Sequence, residues 1–245
     1  GMDSFVFIDD NPFERNLVRS LIPEITVPEL PENAADYLSF LQGENLFETI
    51  SFSSDDKDRT KQYQAEAKRA TLLQEYESID DYLKNLEMTG EAKPFDELRY
   101  SRIAQLTQRS NQFNLRTIRY TESDIEKIAN DDNYITLYFT LKDKFGDHGL
   151  VSVVILKKIS DTEAFVDTWL MSCRVLKRGM EEYVVNNFVK AAADNKIETI
   201  YSEYIETPKN KMVKDIYKVM GFTETEPSKY VLKVSEYVNK NTYID

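Results

Sequence analysis

The stretch Phe165-Val-Asp-Thr-Trp-Leu-Met-Ser-Cys-Arg-Val-Leu-Lys-Arg-Gly179 decides the fold of the second half of this chain. Residues 165–171 are typical of a buried strand, and the cationic turn 172–178 follows directly. Residues 179–193 then predict an amphipathic helix, because their apolar side chains recur at helical spacing. A strand that passes through a turn into a helix N-terminus is typical of α/β folds, and the backbone N–H groups of such a turn bind anions.

The segments on either side extend this α/β pattern. The predicted strands are short apolar runs bounded by polar residues or glycine: 117–120, 135–141, 150–156, 197–204 and 230–234. The second and third of these form a hairpin across an Asp-His-Gly turn, and Ser123 is expected to begin a helix. Asn210 is expected to cap a helix that ends at Met220, with Gly221 as its stop.

The first half begins with a different arrangement. Phe5-Val-Phe-Ile8 predicts a buried strand, and Asp9, Asp10 and Pro12 follow it. The two carboxylates therefore stand at the carboxyl end of a strand, where open α/β sheets bind ligands. Periodicity predicts three further elements: helices over 14–21 and 33–41, and a short strand over 25–27.

Residues 51–88 are dense in charge and contain neither proline nor glycine. Ser53 with Asp56, and Ser78 with Asp81, resemble capping boxes, so two helices are predicted. The second helix has an apolar stripe formed by Ile79, Tyr82, Leu83 and Leu86. Glycine and proline interrupt the pattern afterwards, and a linker is expected over 89–97.

The composition excludes several classes of protein. The 245 residues carry a formal net charge of −12, with one cysteine and one histidine. Internal disulfides, cysteine-rich zinc sites and histidine-pair metal motifs are therefore excluded, and the acidic surface argues against nucleic acid. The longest apolar stretch, 150–156, is too short to cross a bilayer, and the N-terminus shows no signal-peptide pattern. A cytoplasmic protein without membrane contact is expected.

In element order and in two local motifs, the second half resembles the acyltransferase superfamily of the N-acetyltransferase (GNAT) type. The resemblance implies that the turn binds the pyrophosphate of an acyl donor, with Arg174, Arg178 and Gly179 as contacts. The superfamily's turn is Arg/Gln-x-x-Gly-x-Gly/Ala, whereas this chain has Glu181 and Tyr183 where small residues belong. A carboxylate repels a pyrophosphate, so this departure argues against coenzyme A itself.

The second GNAT-like motif runs from Asn210 to Phe222 and contains Tyr217. In the superfamily such a tyrosine often protonates the departing thiolate, a role that suits a phenol. The resemblance places Asn210 among the binding residues. The helical spacing of Tyr217 is equally that of an aromatic side chain in a core, so both interpretations stay open.

Four motifs extend a second resemblance over nearly the whole chain: Phe5-Val-Phe-Ile-Asp-Asp-Asn-Pro-Phe-Glu-Arg15, Arg102-Ile-Ala-Gln-Leu-Thr-Gln-Arg-Ser-Asn-Gln-Phe-Asn-Leu-Arg-Thr-Ile-Arg-Tyr120, Asp143-Lys-Phe-Gly-Asp-His-Gly149 and Ser172-Cys-Arg-Val-Leu-Lys-Arg-Gly179. In this order they resemble the FkbH-like family, which joins a haloacid dehalogenase (HAD)-type phosphatase domain to a GNAT-like domain. The resemblance implies that a phosphorylated glyceryl donor loses its phosphate. Its glyceryl group then passes as a thioester to the phosphopantetheine arm of an acyl carrier protein, as in methoxymalonyl extender-unit biosynthesis.

The chain departs from this family in its phosphatase motifs. A HAD phosphatase needs an aspartyl nucleophile, a second Asp two residues on, a Lys, and a late acidic pair that helps to hold Mg²⁺. Asp9 and Asp10 match only the late pair, and the family's nucleophile motif lies upstream of the matching strand. We therefore expect Asp9 and Asp10 to be the remnant of a Mg²⁺ site that works only with the missing half, and we expect no phosphatase activity from this chain alone.

Two reactive side chains, Cys173 and His148, are candidates for catalysis. Arg174, Lys177 and Arg178 follow Cys173 at the start of a helix, and cations and a helix N-terminus favour the thiolate form. The FkbH-like resemblance implies a glyceryl group tethered there, although a lone cysteine is commonly a small buried apolar side chain. His148 is a candidate general base, but a residue in a glycine-flanked turn is more often exposed to solvent.

Two polar groups of residues are candidates for binding. A polar cluster in the motif Arg102–Tyr120 consists of Arg109, Asn111, Gln112 and Asn114. It has two interpretations, hydrogen bonding at an interdomain junction or recognition of glyceryl hydroxyls and the pantetheine arm. A local basic surface on which an acidic carrier protein would dock is expected from Lys209, Lys211 and Lys214.

The sequence thus predicts an α/β protein with an incomplete HAD-like Rossmannoid domain over 1–97 and a GNAT-like mixed-sheet acyltransferase domain over 98–245. The predicted reaction is transfer of an acyl group, in particular glyceryl, to a carrier-protein thiol. Cys173 would hold the acyl group and Tyr217 would protonate the leaving thiolate. Two alternatives stay open, an acyl-coenzyme A-dependent N-acyltransferase and a non-catalytic binding module.

Overall fold

A computed structural model of the protein describes residues 5–46 and 59–245. The chain forms two compact units, Gly1–Arg59 and Thr60–Asp245. The boundary predicted between residues 97 and 98 differs from this division, because residues 60–97 contribute helices and an edge strand to the larger unit.

Two helices, α1 (Pro12–Leu21) and α2 (Tyr37–Gly43), form most of the described part of the small unit and lie close to the predicted helices. The side chain of Asn11 caps α1 by accepting a hydrogen bond from Phe13 N–H at 3.0 Å, and proline stands in the first turn, where no N–H group is needed. A short 3-10 helix, Ala34–Asp36, leads into α2.

The strands predicted around the acidic loop are present only as a parallel bridge between Val6 and Thr26. Phe7 N–H donates to Thr26 O at 2.9 Å, and Thr26 N–H donates to Phe5 O at 3.1 Å. These elements do not establish a HAD-like half domain.

The larger unit begins with helices α3 (Arg59–Gln74) and α4 (Ile79–Asn85), followed by strand β1 (Thr89–Lys93). The linker predicted over 89–97 is therefore wrong. Strand β1 pairs antiparallel with residues 138–142 at one edge of the sheet. Its residues alternate between exposed and partly buried, which an edge strand with polar side chains tolerates.

Helix α4 buries most of its predicted stripe, namely Tyr82, Leu83 and Leu86. Ile79 is exposed instead, because it occupies the first position of the helix, outside the packed turn. The helix start predicted at Ser53 and Asp56 lies outside the described residues.

The strands of the larger unit form one mixed sheet. Those that follow β1 are β2 (Phe113–Asn114), β3 (Tyr134–Asp143), β4 (Gly146–Lys158), β5 (Glu163–Met171), β6 (Thr199–Glu203), β7 (Thr223–Glu226) and β8 (Lys229–Lys233). The order is β1-β3-β4-β5-β6-β8-β7, with β2 paired to β5. Strands β5 and β6 are parallel within an otherwise antiparallel sheet. This is the GNAT-like mixed sheet that the element order predicts, although the strand predicted over 117–120 is replaced by β2.

Helices cover both faces of the sheet: α5 (Tyr100–Arg109), α6 (Glu122–Ala129), α7 (Met180–Asp194) and α8 (Ile216–Val219). One buried cluster joins α5 and α6 to the sheet, and another joins α4, α7 and α8 to the opposite face. Helix α6 begins with a capping box of Thr121 and Asp124, two residues before the predicted cap at Ser123. Among the described residues, no helix combines the length and apolar character needed to cross a membrane.

Candidate active site

The turn after β5 combines a short 3-10 helix with two residues in left-handed backbone conformation. Residues Cys173–Val175 form a short 3-10 helix, and Lys177 and Gly179 have left-handed backbone with φ of 61° and 78°. Helix α7 begins directly after Gly179. The φ angle of Gly179 favours glycine, and a Cβ atom there would lie 3.0 Å from Thr242 Oγ1, so a larger residue would also require this side chain to shift.

The anion site expected at this turn is filled by Glu181. Its Oε1 atom accepts a hydrogen bond from Lys177 N–H at 3.0 Å, whereas its Oε2 atom is buried without a partner in the described part of the chain. Burial raises the pKa of Glu181 in spite of that hydrogen bond. The carboxylate occupies the Lys177 N–H group of the turn. That Glu181 opposes a bound pyrophosphate stays a prediction.

Arg178, which was expected to contact phosphate, already pairs with carboxylates. Its Nη2 atom lies 3.0 Å from Glu66 Oε1, and its Nη1 atom lies 3.7 Å from Asp143 Oδ2. Arg69 completes this ionic cluster, because its Nε and Nη2 atoms donate to both oxygens of Asp143 at 2.7 and 2.8 Å. Arg178 thereby ties the turn to α3 and to the end of β3.

His148 belongs to the same ionic cluster and is buried, although its turn-like sequence predicts exposure. The hairpin in fact turns at residues 144–145, so His148 lies within β4. Its Nε2 atom is 3.0 Å from Asp143 Oδ2 and 3.4 Å from Arg178 Nη1. Burial opposes ionisation of Asp143, but hydrogen bonds from His148 and Arg69 hold the pKa of that carboxyl well below its usual range. The role of His148 as a general base stays a prediction.

Cys173 is exposed at the start of the 3-10 helix, so the burial common for a lone cysteine does not apply to it. Next to it, Arg174 Nε donates to Ser172 Oγ at 3.3 Å. Within the described residues, no hydrogen bond joins Cys173 to His148 or Tyr217. The structure does not bring the three candidate catalytic side chains into one hydrogen-bonded cluster.

Strands β5 and β6 diverge towards their carboxyl ends. Their parallel pairing joins residues 163–165 to residues 199–201. Further along, Leu115 lies between them: its N–H group donates to Trp169 O at 3.2 Å, and its carbonyl accepts from Ile205 N–H at 2.8 Å. We call this gap, between residues 166–171 and 202–205, the β5–β6 splay. An extended chain that carries amides can pair with both of its sides, as an added strand does.

Three buried polar atoms beside the splay have no hydrogen-bond partner among the described residues: Trp169 Nε1 on β5, Ser202 Oγ on β6 and Tyr217 Oη on α8. The rings of Trp169 and Tyr217 lie 5.8 Å apart. Burial raises the pKa of Tyr217. The phenol is therefore protonated at neutral pH, in a place that excludes water.

Asn114 and Asn210, two predicted binding residues, lie together beside the splay. Asn210 Nδ2 donates to Asn114 O and to Ile205 O, each at 2.9 Å, while its Oδ1 atom accepts from Tyr204 Oη at 3.0 Å. Asn114 Oδ1 accepts from Thr117 N–H at 2.8 Å. The sequence predicts that Asn210 caps a helix, but its side chain makes no such cap. It stabilises the segment inside the splay instead.

The other polar candidates lie nearer the surface. Arg109 and Gln112 are exposed, and Asn111 accepts a hydrogen bond from Arg119. The predicted polar cluster is thus divided between a buried part and an exposed part. The lysines of the predicted basic surface are exposed: Lys209, Lys211 and Lys214. Met212 is exposed among them. None of the three lysines forms an ion pair in the described part of the chain.

Arg116 crosses the splay, although sequence reasoning did not single it out. Its Nε atom donates to Glu203 Oε1 on β6 at 2.7 Å, and its Nη1 atom donates to Asp167 O on β5 at 2.8 Å. The guanidinium also lies 4.8 Å from the centre of the Phe165 ring. Arg116 stands within the motif Arg102–Tyr120, but spacing alone gives no sign of partners so far along the chain.

Asp9 and Asp10 lie in the small unit, directly before the cap of α1. Asp9 Oδ1 accepts from Asn11 N–H at 2.8 Å, and Arg15 Nη1 donates to the carbonyls of both aspartates at 2.8 and 3.0 Å. The described residues contain no group of three or more His, Cys, Asp or Glu side chains placed to hold a metal ion. Two carboxylates alone are an incomplete ligand set for Mg²⁺, so that site stays a prediction.

No family model and no curated protein matches this sequence. Similar solved structures include the ribosomal-protein-S18-alanine N-acetyltransferase from Escherichia coli, with 12% identity, coverage of 58% of this chain and 90% of that chain, and a TM-score of 0.42. Spermidine N-acetyltransferase from Vibrio cholerae, in complex with CoA and spermine, has 13% identity, coverage of 62% and 99%, and a TM-score of 0.46. Both of these proteins are named as N-acetyltransferases, and glyceryl transfer to a carrier protein stays a prediction for this chain.

A shorter match has higher identity. It is to the N-terminal part of the protein BF1531 from Bacteroides fragilis, containing a phosphatase domain complexed with Mg, with 65% identity over 21% of this chain and 14% of that chain, and a TM-score of 0.21. The FkbH-like resemblance is not confirmed by these comparisons. The larger unit is a mixed α/β fold with a GNAT-like mixed sheet.

Proposed function

We propose that the larger unit transfers an acyl group that arrives as a thioester on a pantetheine arm. The observation that supports this most directly is the β5–β6 splay with the buried, unpartnered hydroxyl of Tyr217 beside it. A pantetheine arm contains amide groups, so it can pair with the backbone of both strands. Its sulfur atom would then meet Tyr217 in a region from which water is excluded.

In the proposed reaction, the acceptor nucleophile attacks the thioester carbonyl carbon, the C–S bond breaks, and the pantetheine thiolate leaves. Tyr217 gives its phenolic proton to that thiolate, and the acceptor's proton passes to solvent before Tyr217 is reprotonated. Burial raises the pKa of Tyr217, so the phenol is protonated at neutral pH but is a weaker acid than an exposed tyrosine, and its proton transfer requires the thiolate to form in contact with it. General acid catalysis of this kind contributes roughly 10²–10⁴-fold to a rate.

Cys173 is the proposed acceptor within the chain. It is exposed, so an incoming thioester reaches it without unfolding, and Lys177 stands exposed in the same turn. The tethered acyl group would be glyceryl if the FkbH-like resemblance holds. Transfer onward to a carrier-protein thiol, or directly from the donor to an amine, completes the reaction.

Coenzyme A and an acyl carrier protein both present a pantetheine arm. Coenzyme A is favoured by the GNAT-like sheet with α7 starting at the turn, because a helix N-terminus attracts phosphate. The carrier protein is favoured by Glu181, which opposes a pyrophosphate at that turn, and by the exposed lysines around Met212, which suit an acidic partner.

The test is intact-mass spectrometry of the whole chain incubated separately with acetyl-coenzyme A, glyceryl-coenzyme A and glyceryl carrier protein. An acyl adduct on the wild type that disappears in Cys173→Ala supports the covalent route. The donor that gives the adduct shows whether coenzyme A or a carrier protein supplies the pantetheine arm. An amine-dependent release of free thiol without any adduct supports direct N-acyl transfer. If the folded protein shows neither adduct nor thiol release with any donor, the proposal is wrong and a binding module remains.

A further inference from the structure

Part of the chain lies in the splay in the manner of a bound ligand. Strand β2 pairs antiparallel with β5, through Phe113 with Met171 and Asn114 with Leu170. Leu115 then bridges both sides of the splay with its N–H and carbonyl groups. Its neutral backbone thus makes the hydrogen bonds that an extended amide-bearing arm would make.

The segment differs from an ordinary strand of a sheet. It pairs with β5 over only two residues and ends at Thr117, whose φ of 54° is left-handed. A β-branched residue rarely adopts this conformation, since its side chain crowds the backbone there. The surrounding structure therefore holds the end of the segment in a strained state, which displacement would relieve.

Arg116 fastens the segment across the splay. Its hydrogen bonds to Asp167 on β5 and to Glu203 on β6 join the two strands through one side chain. The carboxylate side chains are partly exposed, at 16% for Asp167 and 28% for Glu203. The Arg116 ion pairs therefore lie at the solvent side, whereas Phe113 and Leu115 of the same segment are buried in the core, so displacement of the segment also exposes their side chains.

The segment leaves polar groups beside it unsatisfied. Trp169 Nε1, Ser202 Oγ and Tyr217 Oη are buried and have no partner among the described residues, although buried polar atoms are usually hydrogen-bonded. Phe113 packs on Trp169 with ring centres 5.2 Å apart, and an aromatic side chain offers these atoms no acceptor. A thioester oxygen or a sulfur atom in the same place would offer one.

We propose that residues 113–116 are a self-ligand that closes the β5–β6 splay in the free protein, and that the pantetheine arm of the donor displaces them. This inference rests on the proposed function, because it names how access to the same site is controlled. Arg116 is a positioning residue in this scheme: it holds the self-ligand and touches no reacting atom.

Hydrogen exchange with S-acetylpantetheine as the probe tests the proposal. This probe lacks phosphate, so Glu181 does not oppose it. Saturating probe is expected to speed amide exchange at least about tenfold in a peptide covering 111–118, while Ile205 N–H stays protected. Arg116→Ala is expected to bind the probe about tenfold more tightly than the wild type, a difference of about 1.4 kcal/mol. Arg119→Ala, which removes a guanidinium from the same loop without touching β5 or β6, should bind like the wild type.

The outcomes separate this inference from the proposed function. The self-ligand proposal is wrong if thiol is released from the probe while the amides of residues 111–118 stay protected from exchange. The proposal of acyl transfer would still hold in that case. Equal affinity of the wild type and Arg116→Ala overturns the self-ligand proposal as well. If no variant binds the probe or releases thiol, both proposals fail. If Arg116→Ala does not fold, two other measurements test the self-ligand proposal. They are the exchange of amides 111–118 in the wild type with the probe and the affinity of Arg116→Lys for the probe.

Discussion

The turn after β5 and the β5–β6 splay are both filled by the chain itself, but by groups of opposite character. The turn holds the carboxylate of Glu181, with one oxygen buried and unpartnered, whereas the splay holds neutral backbone at Leu115 with both groups paired. Another amide chain can replace Leu115 with the same hydrogen bonds. A phosphate in the turn would stand beside a second negative charge. Under the proposed function, we therefore expect the amide part of a pantetheine arm to bind more readily than the phosphate part of coenzyme A.

The two regions are also held by different forces. The ionic cluster of Arg178, Arg69 and Asp143 fixes the turn, and its charges are almost entirely removed from water. Hydrogen bonds of Asn210 and Arg116 fix the splay. Variants can therefore weaken one region and leave the other in place.

Removing the central carboxylate of the ionic cluster should have the largest effect. Asp143→Ala leaves Arg69 and Arg178 buried with Glu66 as their remaining acidic partner, so we expect the free energy of unfolding to fall by about 3–5 kcal/mol. Urea denaturation followed by circular dichroism measures this change. Asp147→Ala breaks an exposed pair with Lys142, removes the acceptor of the Gly149 N–H group, and should cost about 1 kcal/mol. Similar losses in the two variants would show that the cluster does not fix the turn.

A smaller loss is expected when the splay is weakened. Asn210→Ala removes hydrogen bonds to the carbonyls of Asn114 and Ile205 and leaves both buried groups to find new partners, so unfolding should become easier by about 3 kcal/mol. Asn195→Ala, at an exposed helix end, is the control and should change stability by about 0.5 kcal/mol. Exchange of amides 111–118 should rise in Asn210→Ala alone. Unchanged exchange would contradict the bracing role of Asn210.

The smallest effect is expected at the turn. Glu181→Gln keeps an acceptor for Lys177 N–H and removes the buried charge, so it should stabilise the protein at neutral pH by about 1 kcal/mol. Folding raises the pKa of Glu181, so the wild type carries its penalty above the folded pKa. The advantage of the variant should shrink as the pH falls through that value and vanish below the unfolded pKa of about 4.3. Thermal unfolding across this range, with Glu182→Gln as the control, checks the sign; a gain that persists at low pH would contradict it.

The same variant sharpens the distinction between donors. With the charge gone, Glu181→Gln should bind coenzyme A about tenfold more tightly than the wild type, because the repulsion of the pyrophosphate is removed. Affinity for S-acetylpantetheine should not change, since it carries no phosphate. Calorimetry with both ligands measures this, and equal gains for the two would mean that Glu181 does not act through charge.

Local patterns in the sequence predicted the elements that carry strong local signals. Residues 165–193 follow the expected strand, turn and helix, and Gly221 ends a helix with φ of 96°. Strand β1 was missed because an edge strand with polar alternation and a glycine lacks an apolar run. The position of Glu181 in the turn followed from the departure from the GNAT-like motif.

Contacts between distant residues were beyond sequence reasoning. Arg69 and Asp143 meet across 74 residues, and no spacing rule links them. His148 is buried because this pair and Arg178 surround it, which its glycine-flanked sequence does not indicate. Likewise, Arg116 gains its partners only when β5 and β6 diverge.

The central claim is that Tyr217 protonates the leaving thiolate. It is tested most directly by comparing the wild type with Tyr217→Phe in the single-turnover release of thiol from S-acetylpantetheine. The substitution removes one unpartnered hydroxyl, so stability should change by no more than about 1 kcal/mol. Tyr230→Phe, whose ring lies 5.2 Å from that of Tyr217, is the control. If Tyr217 protonates the leaving thiolate, Tyr217→Phe should release thiol about 10²-fold more slowly than the wild type, with Tyr230→Phe unaffected. Equal rates in the wild type and Tyr217→Phe would contradict the account.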